Sequence, residues 1–204
     1  MNNPIAYVSV LRLNRTDIKV LQIRDVYSLH RVVYGLFSKT SQLDQANRIL
    51  WVDKGGDFNG RQILILSDRQ PHLTPQFGRV ETKAISPEFV NFDRYAFEIV
   101  INPVKKINAT GKIEAIIGRE AITQWLLDRA PTWGFEIQAK SLEVQINQTQ
   151  SFQKGEQKIL HNKALIKGEL QVTNREQFLH SFTRGVGKGK AFGFGLLQIV
   201  PLSN

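Results

Sequence analysis

The sequence predicts an α+β fold of two tandem ferredoxin-like domains, each with the element order β-α-β-β-α-β. Three observations predict it. Strand-like segments rich in β-branched residues occur in two sets of four along the 204 residues. A segment with helical apolar periodicity follows the first strand of each set. A proline-containing linker at Ser86–Asp93 separates the two sets. The predicted domains are therefore residues 1–87 and 93–204.

The first half is predicted to contain four strands and one clear helix. Two prolines and little helical periodicity in residues 68–78 leave the second helix short or absent. The predicted elements are strand Ile5–Leu13, helix Val26–Phe37 with Asp25 as its N-cap, strands Ile49–Val52 and Gln62–Ser67 joined by a long tip, and strand Arg79–Ile85.

The second half repeats this order and is predicted to have both helices. The predicted elements are strand Tyr95–Val104, a helix from Gly118 to about Ala130, strands Phe135–Ile146 and Lys158–Val172 around a polar tip, a helix begun by a capping box at Thr173–Glu176, and a final strand Phe194–Val200.

The charge of the chain favours an anionic partner such as nucleic acid. There are 27 Lys and Arg against 18 Asp and Glu, which gives a formal net charge of +9. The excess is spread over both halves, with 12 basic and 8 acidic residues up to Phe92 and 15 and 10 after it. Both halves can therefore contact the same polyanion, although many basic proteins are merely soluble.

The sequence gives little support to several other kinds of site. It contains no Cys, which excludes disulfides, thiolate nucleophiles and Cys-based zinc sites. Its four histidines form no HxH or HxxxH pair, so we expect no metal and no cofactor. No signal-like N-terminus and no run of about 18 apolar residues is present. We therefore expect a cytoplasmic protein without membrane association.

The first candidate site lies on the predicted helix Val26–Phe37. At about 100° per residue, Tyr27, His30, Arg31 and Tyr34 fall on one face, and the apolar residues of the helix fall on another. Imidazole, phenol and guanidinium groups on a face turned from the core suit phosphodiester chemistry. The structural alternative is an ordinary wet surface with a half-buried Tyr–His pair.

The second candidate site is the run G-V-G-K-G-K-A-F-G-F-G from Gly185 to Gly195. Glycines allow the backbone to approach a phosphate, and Lys188 and Lys190 supply positive charge. The run follows a predicted helix and precedes a strand, which is the reverse of a dinucleotide-binding loop, and it lacks a P-loop pattern. The alternative, a glycine C-cap and a flexible turn, accounts for one or two of the five glycines.

A third feature is the set of lysines on the long hairpin of the second half. Its second strand contains Lys158, Lys163 and Lys167. Side chains alternate between the two faces of a strand, so Lys163 and Lys167, which are four positions apart, share a face. They could lie beside Lys188 and Lys190 and enter a groove of structured RNA. The alternative is that these lysines prevent the strands from pairing with the edge of another sheet.

Three segments together carry a resemblance to a known family. They are Y-S-L-H-R-V-V-Y-G-L-F from Tyr27, G-R-E-A-I-T-Q-W-L from Gly118, and F-T-R-G-V-G-K-G-K-A-F-G-F-G-L-L from Phe182. In identity, order and spacing they resemble the CasE (Cse3) family, the CRISPR RNA-processing endoribonuclease of type I-E Cascade. The resemblance implies RRM/RAMP-like domains and extends nearly from end to end.

The resemblance also implies an activity and its residues. A protein of this family binds the stem-loop of the CRISPR repeat and cuts at the 3′ base of the stem without a metal, and the product commonly stays bound as the enzyme joins Cascade subunits. His30 and Tyr27 match the catalytic histidine and tyrosine. RNA-binding roles for Arg31, Lys158, Lys163, Lys167, Gly187, Lys188 and Lys190 follow as expectations.

The implied chemistry is attack by a 2′-OH on the adjacent phosphate, giving a 2′,3′-cyclic phosphate and a 5′-OH. Histidine exchanges protons near neutral pH, but the sequence does not decide whether His30 acts as base or acid. Two alternatives stay open. One is a non-catalytic RNA-binding subunit, and the other is a metal-dependent nuclease.

Overall fold

The computed structural model describes residues 3–37, 48–57, 60–107, 111–154 and 157–203. They form two compact units. The first contains residues 1–87 and also Ala191–Gly193, and the second contains Glu88–Lys190 and Phe194–Asn204. Three residues of the glycine-rich segment thus belong to the first unit.

The elements of the first unit are β1 Ala6–Asn14, α1 Arg15–Val20, α2 Val26–Gly35, β2 Ile49–Asp57, β3 Gly60–Ser67 and β4 Arg79–Ile85. Its strands form a four-stranded antiparallel sheet in the order β2-β3-β1-β4. This is the strand order of a ferredoxin-like fold, which confirms the predicted fold class.

Helix α2 begins where the sequence predicts. The Asp25 side chain accepts a hydrogen bond from the Ser28 amide at 2.8 Å, and the Ser28 hydroxyl accepts one from the Asp25 amide at 3.0 Å. This reciprocal capping box satisfies two amides that the helix itself leaves unpaired. The apolar face of α2, including Leu29 and Val33, is buried in a core that also contains Trp51. The opposite face of the helix is left for other contacts.

Three local features of the first unit bear on the prediction. Asn14 ends β1 and caps the short helix α1, which the sequence did not predict. The expected long tip after Val52 is mostly strand, since β2 continues to Asp57 and pairs with β3 through an irregularity between Asp53 and Gly56. No helix forms in residues 68–78, as the prolines there predict.

The elements of the second unit are β5 Arg94–Ile101, β6 Val104–Lys106, β7 Ile113–Ala115, α3 Arg119–Arg129, β8 Phe135–Ile137, β9 Glu143–Lys154, β10 Gln157–Val172, α4 Arg175–Arg184 and β11 Gln198–Pro201. Its main sheet has the order β11-β5-β10-β8, and β9 also pairs with β10. The four strands of the main sheet therefore follow the same order as those of the first unit.

The single strand predicted for Phe135–Ile146 is two strands. A 3-10 turn at Ala139–Ser141 divides β8 from β9. There the Ser141 hydroxyl donates to the Gln138 carbonyl and accepts from the Glu169 amide, both at 2.8 Å. The closing strand is also shorter than predicted, beginning at Gln198, and the small hairpin of β6 and β7 was not predicted.

The predicted linker at Ser86–Asp93 is folded from Glu88 onward against the second unit. Val90 is buried, and Arg175 donates to the carbonyls of Val90 and Phe92 and to the Asp93 carboxylate. The Tyr95 hydroxyl also donates to the Phe89 carbonyl at 2.9 Å. Residues 88–93 are therefore a structural part of this unit.

Candidate active site and nucleic-acid interface

The outward face of α2 brings together the residues that the sequence singles out. The rings of Tyr27 and His30 are nearly parallel, at an angle of 16°, with their centroids 6.1 Å apart. The guanidinium carbon of exposed Arg31 lies 5.8 Å from the Tyr27 ring centroid, a cation–π distance. Phenol, imidazole and guanidinium thus form one continuous set along the helix.

His30 is held by a backbone group far away in the sequence. Its Nδ1 atom lies 2.8 Å from the carbonyl oxygen of Ala191. A carbonyl oxygen only accepts hydrogen bonds, so Nδ1 is the donor and carries a hydrogen. In the neutral imidazole the lone pair is therefore on Nε2, and in the imidazolium Nε2 carries the exchangeable proton.

The Ala191 carbonyl is itself fixed by Trp51. The Trp51 indole Nε1 donates to the same oxygen at 3.1 Å. Nearby Gly193 has φ +84, and a Cβ there would lie 3.0 Å from the edge of the Trp51 ring. Only glycine combines that backbone conformation with that close approach. The segment Ala191–Gly193 is thus locked onto Trp51 on one side and His30 on the other.

Aromatic rings pack against the His30 imidazole. The Tyr34 ring centroid is 4.2 Å from that of His30, and the Phe192 centroid is 5.6 Å from it. Burial raises the pKa of the Tyr34 phenol above its usual value of 10.0. Tyr34 is therefore neutral at neutral pH, and it contacts His30 as a packing partner.

The glycines of the segment Gly185–Gly195 lie in different structural environments. Gly185 follows the last residue of α4. A Cβ at Gly195 would lie 2.1 Å from the Val186 carbonyl oxygen, so Gly195 is required for packing. Gly187 has φ +74, and a Cβ added there would meet no atom within 4 Å, so this position faces open space. A ligand can therefore approach the backbone closely at Gly187, whereas the space beside Gly193 and Gly195 is filled by other parts of the protein.

The two lysines of this segment have different environments. Lys188 is exposed, and its backbone forms a bridge to Asn102 at the end of β5. Lys190 is partly buried and donates to the carbonyls of Arg184 and Gly185 at 3.0 and 3.2 Å. Burial lowers the pKa of Lys190, with smaller contributions from Arg184 and Lys188. Lys190 thus caps the C-terminus of α4, a role that the sequence did not indicate.

The hairpin lysines occupy different surroundings along β10. Lys163 lies opposite Asn147 of β9. The backbone N–H of the preceding residue, Asn162, donates to the side-chain oxygen of Asn102. That places Lys163 near the end of β5 where Lys188 is bridged. Lys167 forms an ion pair of 3.3 Å with Glu98, so it is already partnered. The side chain of Lys158 lies outside the described residues.

Comparison with known proteins gives the family. A family model described as CRISPR associated protein matches residues 6–201, which is nearly the whole chain. This chain belongs to the CRISPR-associated protein family. The resemblance inferred from the segments at Tyr27, Gly118 and Phe182 is thereby confirmed.

Individual relatives of this CRISPR-associated protein were found by sequence and by structure. The CRISPR-associated endoribonuclease Cse3 of Thermus thermophilus is 27% identical over 190 residues, covering 86% of this chain and 90% of the relative. A structure of CRISPR endoribonuclease Cse3 bound to 19 nt RNA has a TM-score of 0.80 at 26% identity, covering 96% of this chain and 99% of that one. Thermus thermophilus Cse3 bound to an RNA representing a pre-cleavage complex has a TM-score of 0.77 at 26% identity, with the same coverage.

The described part of this CRISPR-associated protein offers neither a metal cluster nor a membrane span. Within it, no group of three or more His, Asp or Glu side chains is arranged to hold a metal ion. No helix among the described residues is long and apolar enough to cross a membrane.

Sequence reasoning missed the residues that support His30. Ala191, Phe192 and Trp51 are separated from His30 by long stretches of chain, and no local pattern links them to it. The one available signal is the glycine-rich segment, which predicts an unusual backbone around Gly193. Residues 191–193 of that segment hold the imidazole. The phosphate-binding role predicted for Gly187, Lys188 and Lys190 stays a prediction.

Proposed function

We propose that this protein is a metal-independent endoribonuclease that cuts CRISPR precursor RNA at the 3′ base of the repeat stem-loop. The Thermus Cse3 relative is named an endoribonuclease, and its structure contains an RNA representing a pre-cleavage complex. Both match this chain over nearly its full length. In this proposal, domain 1–87 contains the catalytic residues and domain 93–204 makes most of the RNA contacts.

The observation that carries the proposal is the hydrogen bond from His30 Nδ1 to the Ala191 carbonyl. It fixes the ring orientation and leaves Nε2 available to exchange a proton with a substrate. Neutral His30 would accept the 2′-OH proton through Nε2 as the 2′-oxygen attacks phosphorus. Protonated His30 would instead give a proton to the departing 5′-oxygen. Either transfer is ordinary general acid–base chemistry for an imidazole.

Tyr27 and Arg31 have supporting roles in this mechanism. The Tyr27 hydroxyl would donate to or orient the reacting group, since a phenol is a poor base at neutral pH. The Arg31 guanidinium, lying over the Tyr27 ring and exposed, would offset negative charge that develops on the phosphorane. The products would be a 2′,3′-cyclic phosphate and a 5′-OH.

The RNA grip is proposed to come from the basic residues of the second domain. The strongest candidates for RNA contact are exposed Lys188 and partly exposed Lys163. Gly187 is a candidate because its backbone faces open space. Lys167 and Lys190 would contact RNA only beside their partners in the protein. Lys158 remains a proposal from the sequence. The cut RNA is proposed to stay bound as the protein joins Cascade subunits.

The experiment is cleavage of the repeat RNA of its own CRISPR array by the purified protein, with the product ends mapped. We expect one cut at the 3′ base of the stem, undiminished in excess EDTA, with a cyclic phosphate on the upstream product. RNA with a single 2′-deoxy nucleotide just 5′ of the cut should bind and remain whole. Binding without any cutting would favour the alternative of a non-catalytic RNA-binding subunit. Loss of cutting in EDTA would exclude the metal-independent mechanism.

A further inference from the structure

The second unit contains a cavity of about 300 Å³ that the proposed chemistry does not use. It is partly open and is lined by residues of the small hairpin of β6 and β7, of α3 and the turn after it, and of the glycine-rich segment at Gly187 and Lys188. Its volume is at the lower end of those typical of small-ligand sites.

One wall of the cavity is aromatic. Trp125 and Trp133 line it, with ring centroids 6.0 Å apart and an angle of 70° between the rings. Both indoles are partly exposed. The Nε1 atom of Trp125 has no hydrogen-bond partner among the described residues, so this indole does not serve the fold as a donor. Two partly exposed indoles at one cavity offer a face on which a planar ring can stack.

The rest of the lining is strongly basic. Lys105, Lys106, Arg129 and Lys188 line the same cavity, and each is exposed. Arg129 follows Trp125 by four residues on α3, so the two share one helix face. The lining described for this cavity includes no acidic residue, and no salt bridge joins these four cations to an acid in the described part of the chain. Their charge is left for an external anion.

We propose that this cavity binds one unpaired nucleotide of the RNA, with its base stacked on the indoles of Trp125 or Trp133 and its flanking phosphates on the surrounding cations. A π face beside several uncompensated cations is what single-stranded nucleic acid requires of a binding site. A base within a duplex is stacked on its neighbours and does not reach such a cavity. The nucleotide therefore belongs to a single-stranded segment beside the stem.

This inference rests on the proposed function, because it assumes that the protein binds a structured RNA, and it adds a second type of contact. The lysines of β10 are proposed for the stem, whereas the cavity selects the unpaired strand. It also gives Gly187 and Lys188 a specific role. They form the edge of the cavity at which the sugar–phosphate backbone of that strand passes.

The test compares three RNAs made uncleavable by a 2′-deoxy nucleotide at the cut. They are the blunt repeat hairpin and the same hairpin with eight unpaired nucleotides at its 5′ or its 3′ side, and their affinities are measured by fluorescence anisotropy. At least one flank should tighten binding by about fivefold or more, the low end of base stacking on an aromatic side chain. That gain should disappear in Trp125→Ala and shrink in Arg129→Gln. The matched control Lys140→Gln, an exposed cation elsewhere in this unit, should keep it.

The affinity for the blunt hairpin is the internal check that a variant still folds. Because Trp125→Ala removes a partly buried ring, a second measurement uses the unaltered protein: 5-iodouridine in the flank is photocrosslinked and the peptides are identified. Crosslinks to Trp125 or Trp133 support the cavity, and crosslinks only elsewhere overturn it. No gain from either flank, or a gain that survives Trp125→Ala, also overturns it. Failure of the proposed function would be seen separately, as an uncut natural hairpin.

Discussion

His30 and Trp51 donate to the same acceptor, the carbonyl oxygen of Ala191, at 2.8 and 3.1 Å. Trp51 is fully buried in the core of the first unit, whereas His30 lies on the outward face of α2 and is partly exposed. The shared oxygen therefore connects the rigid core to the proposed catalytic ring. A displacement of Ala191 should therefore reach the proposed catalytic ring.

Replacing His30 with Ala should reduce cleavage of the repeat hairpin by about 10²- to 10⁴-fold, the usual contribution of an acid–base side chain. Hairpin affinity should change by less than about threefold, because the basic residues proposed to bind RNA are untouched. Single-turnover cleavage and anisotropy measure the two effects. His180→Ala, at an exposed histidine of α4, is the control and should cut normally. Undiminished cutting by His30→Ala would remove His30 from the active site.

Two tyrosines contact His30, and removing the hydroxyl of Tyr27 should slow cleavage more than removing that of Tyr34. Tyr27→Phe should slow cleavage by about tenfold or more, since its hydroxyl is proposed to orient the reacting group. Tyr34→Phe keeps the ring that packs at 4.2 Å from His30 and should cost less than about threefold. Single-turnover rates of the two variants at one pH decide the matter. Equal losses, or a larger loss for Tyr34→Phe, would contradict the role given to Tyr27.

Gly193→Ala should disturb the hold on His30. The new Cβ meets the Trp51 ring at 3.0 Å and the residue must keep φ +84, so Ala191 should shift and the unfolding free energy should fall by about 1–2 kcal/mol. Cleavage should fall about tenfold or more with little change in affinity, because small displacements at a reacting group are costly. Gly118→Ala is the matched control, with φ +98 and nothing within 4 Å of the added Cβ. It should lose stability without losing cleavage; equal cleavage losses would refute the positioning role.

Lys188→Gln and Lys190→Gln should affect different properties. Lys188 is exposed, so its loss should weaken RNA binding and reduce the slope of log affinity against log salt by about 1. Lys190 donates to two carbonyls at the end of α4, so its loss should lower the unfolding free energy by about 1 kcal/mol and change the slope less. Salt titrations and urea unfolding separate the two. The reverse assignment of slope and stability would show that Lys190 is the RNA contact.

The raised pKa of Tyr34 predicts a dependence of stability on alkaline pH. Because the folded pKa lies above the unfolded value of about 10, the contribution is fully present below that pH and is lost as the pH rises toward the folded pKa. The midpoint of thermal unfolding should therefore decline less steeply above pH 10 in Tyr34→Phe than in the unaltered protein. Tyr95, whose pKa burial also raises, is common to both proteins and cancels in the comparison. Parallel curves would contradict the burial of the Tyr34 hydroxyl.

Local sequence patterns predicted most of the fold. The start of α2 at Val26, with Asp25 as its cap, depends on residues within four positions, and β4 at Arg79–Ile85 depends on alternation within seven. Both were predicted correctly. The errors fall where pairing to a distant strand decides the outcome. The segment after Val52 contains turn residues but is held as strand by β3, and the Phe135–Ile146 segment is divided because Ser141 bonds to Glu169 of β10.

The candidate site shows the same division between local and distant causes. Helical periodicity alone placed Tyr27, His30 and Arg31 on one face away from the core, because a helix fixes the direction of each side chain relative to its neighbours three and four positions away. Only the tertiary structure decided what His30 contacts. The Ala191 carbonyl lies 161 positions further along the chain, and no local rule specifies which backbone oxygen will meet a given imidazole after folding. The sequence by itself therefore determined which residues are available for chemistry. Packing of the glycine-rich segment against Trp51 decided which nitrogen of His30 is hydrogen-bonded and which is available for the proposed proton transfer.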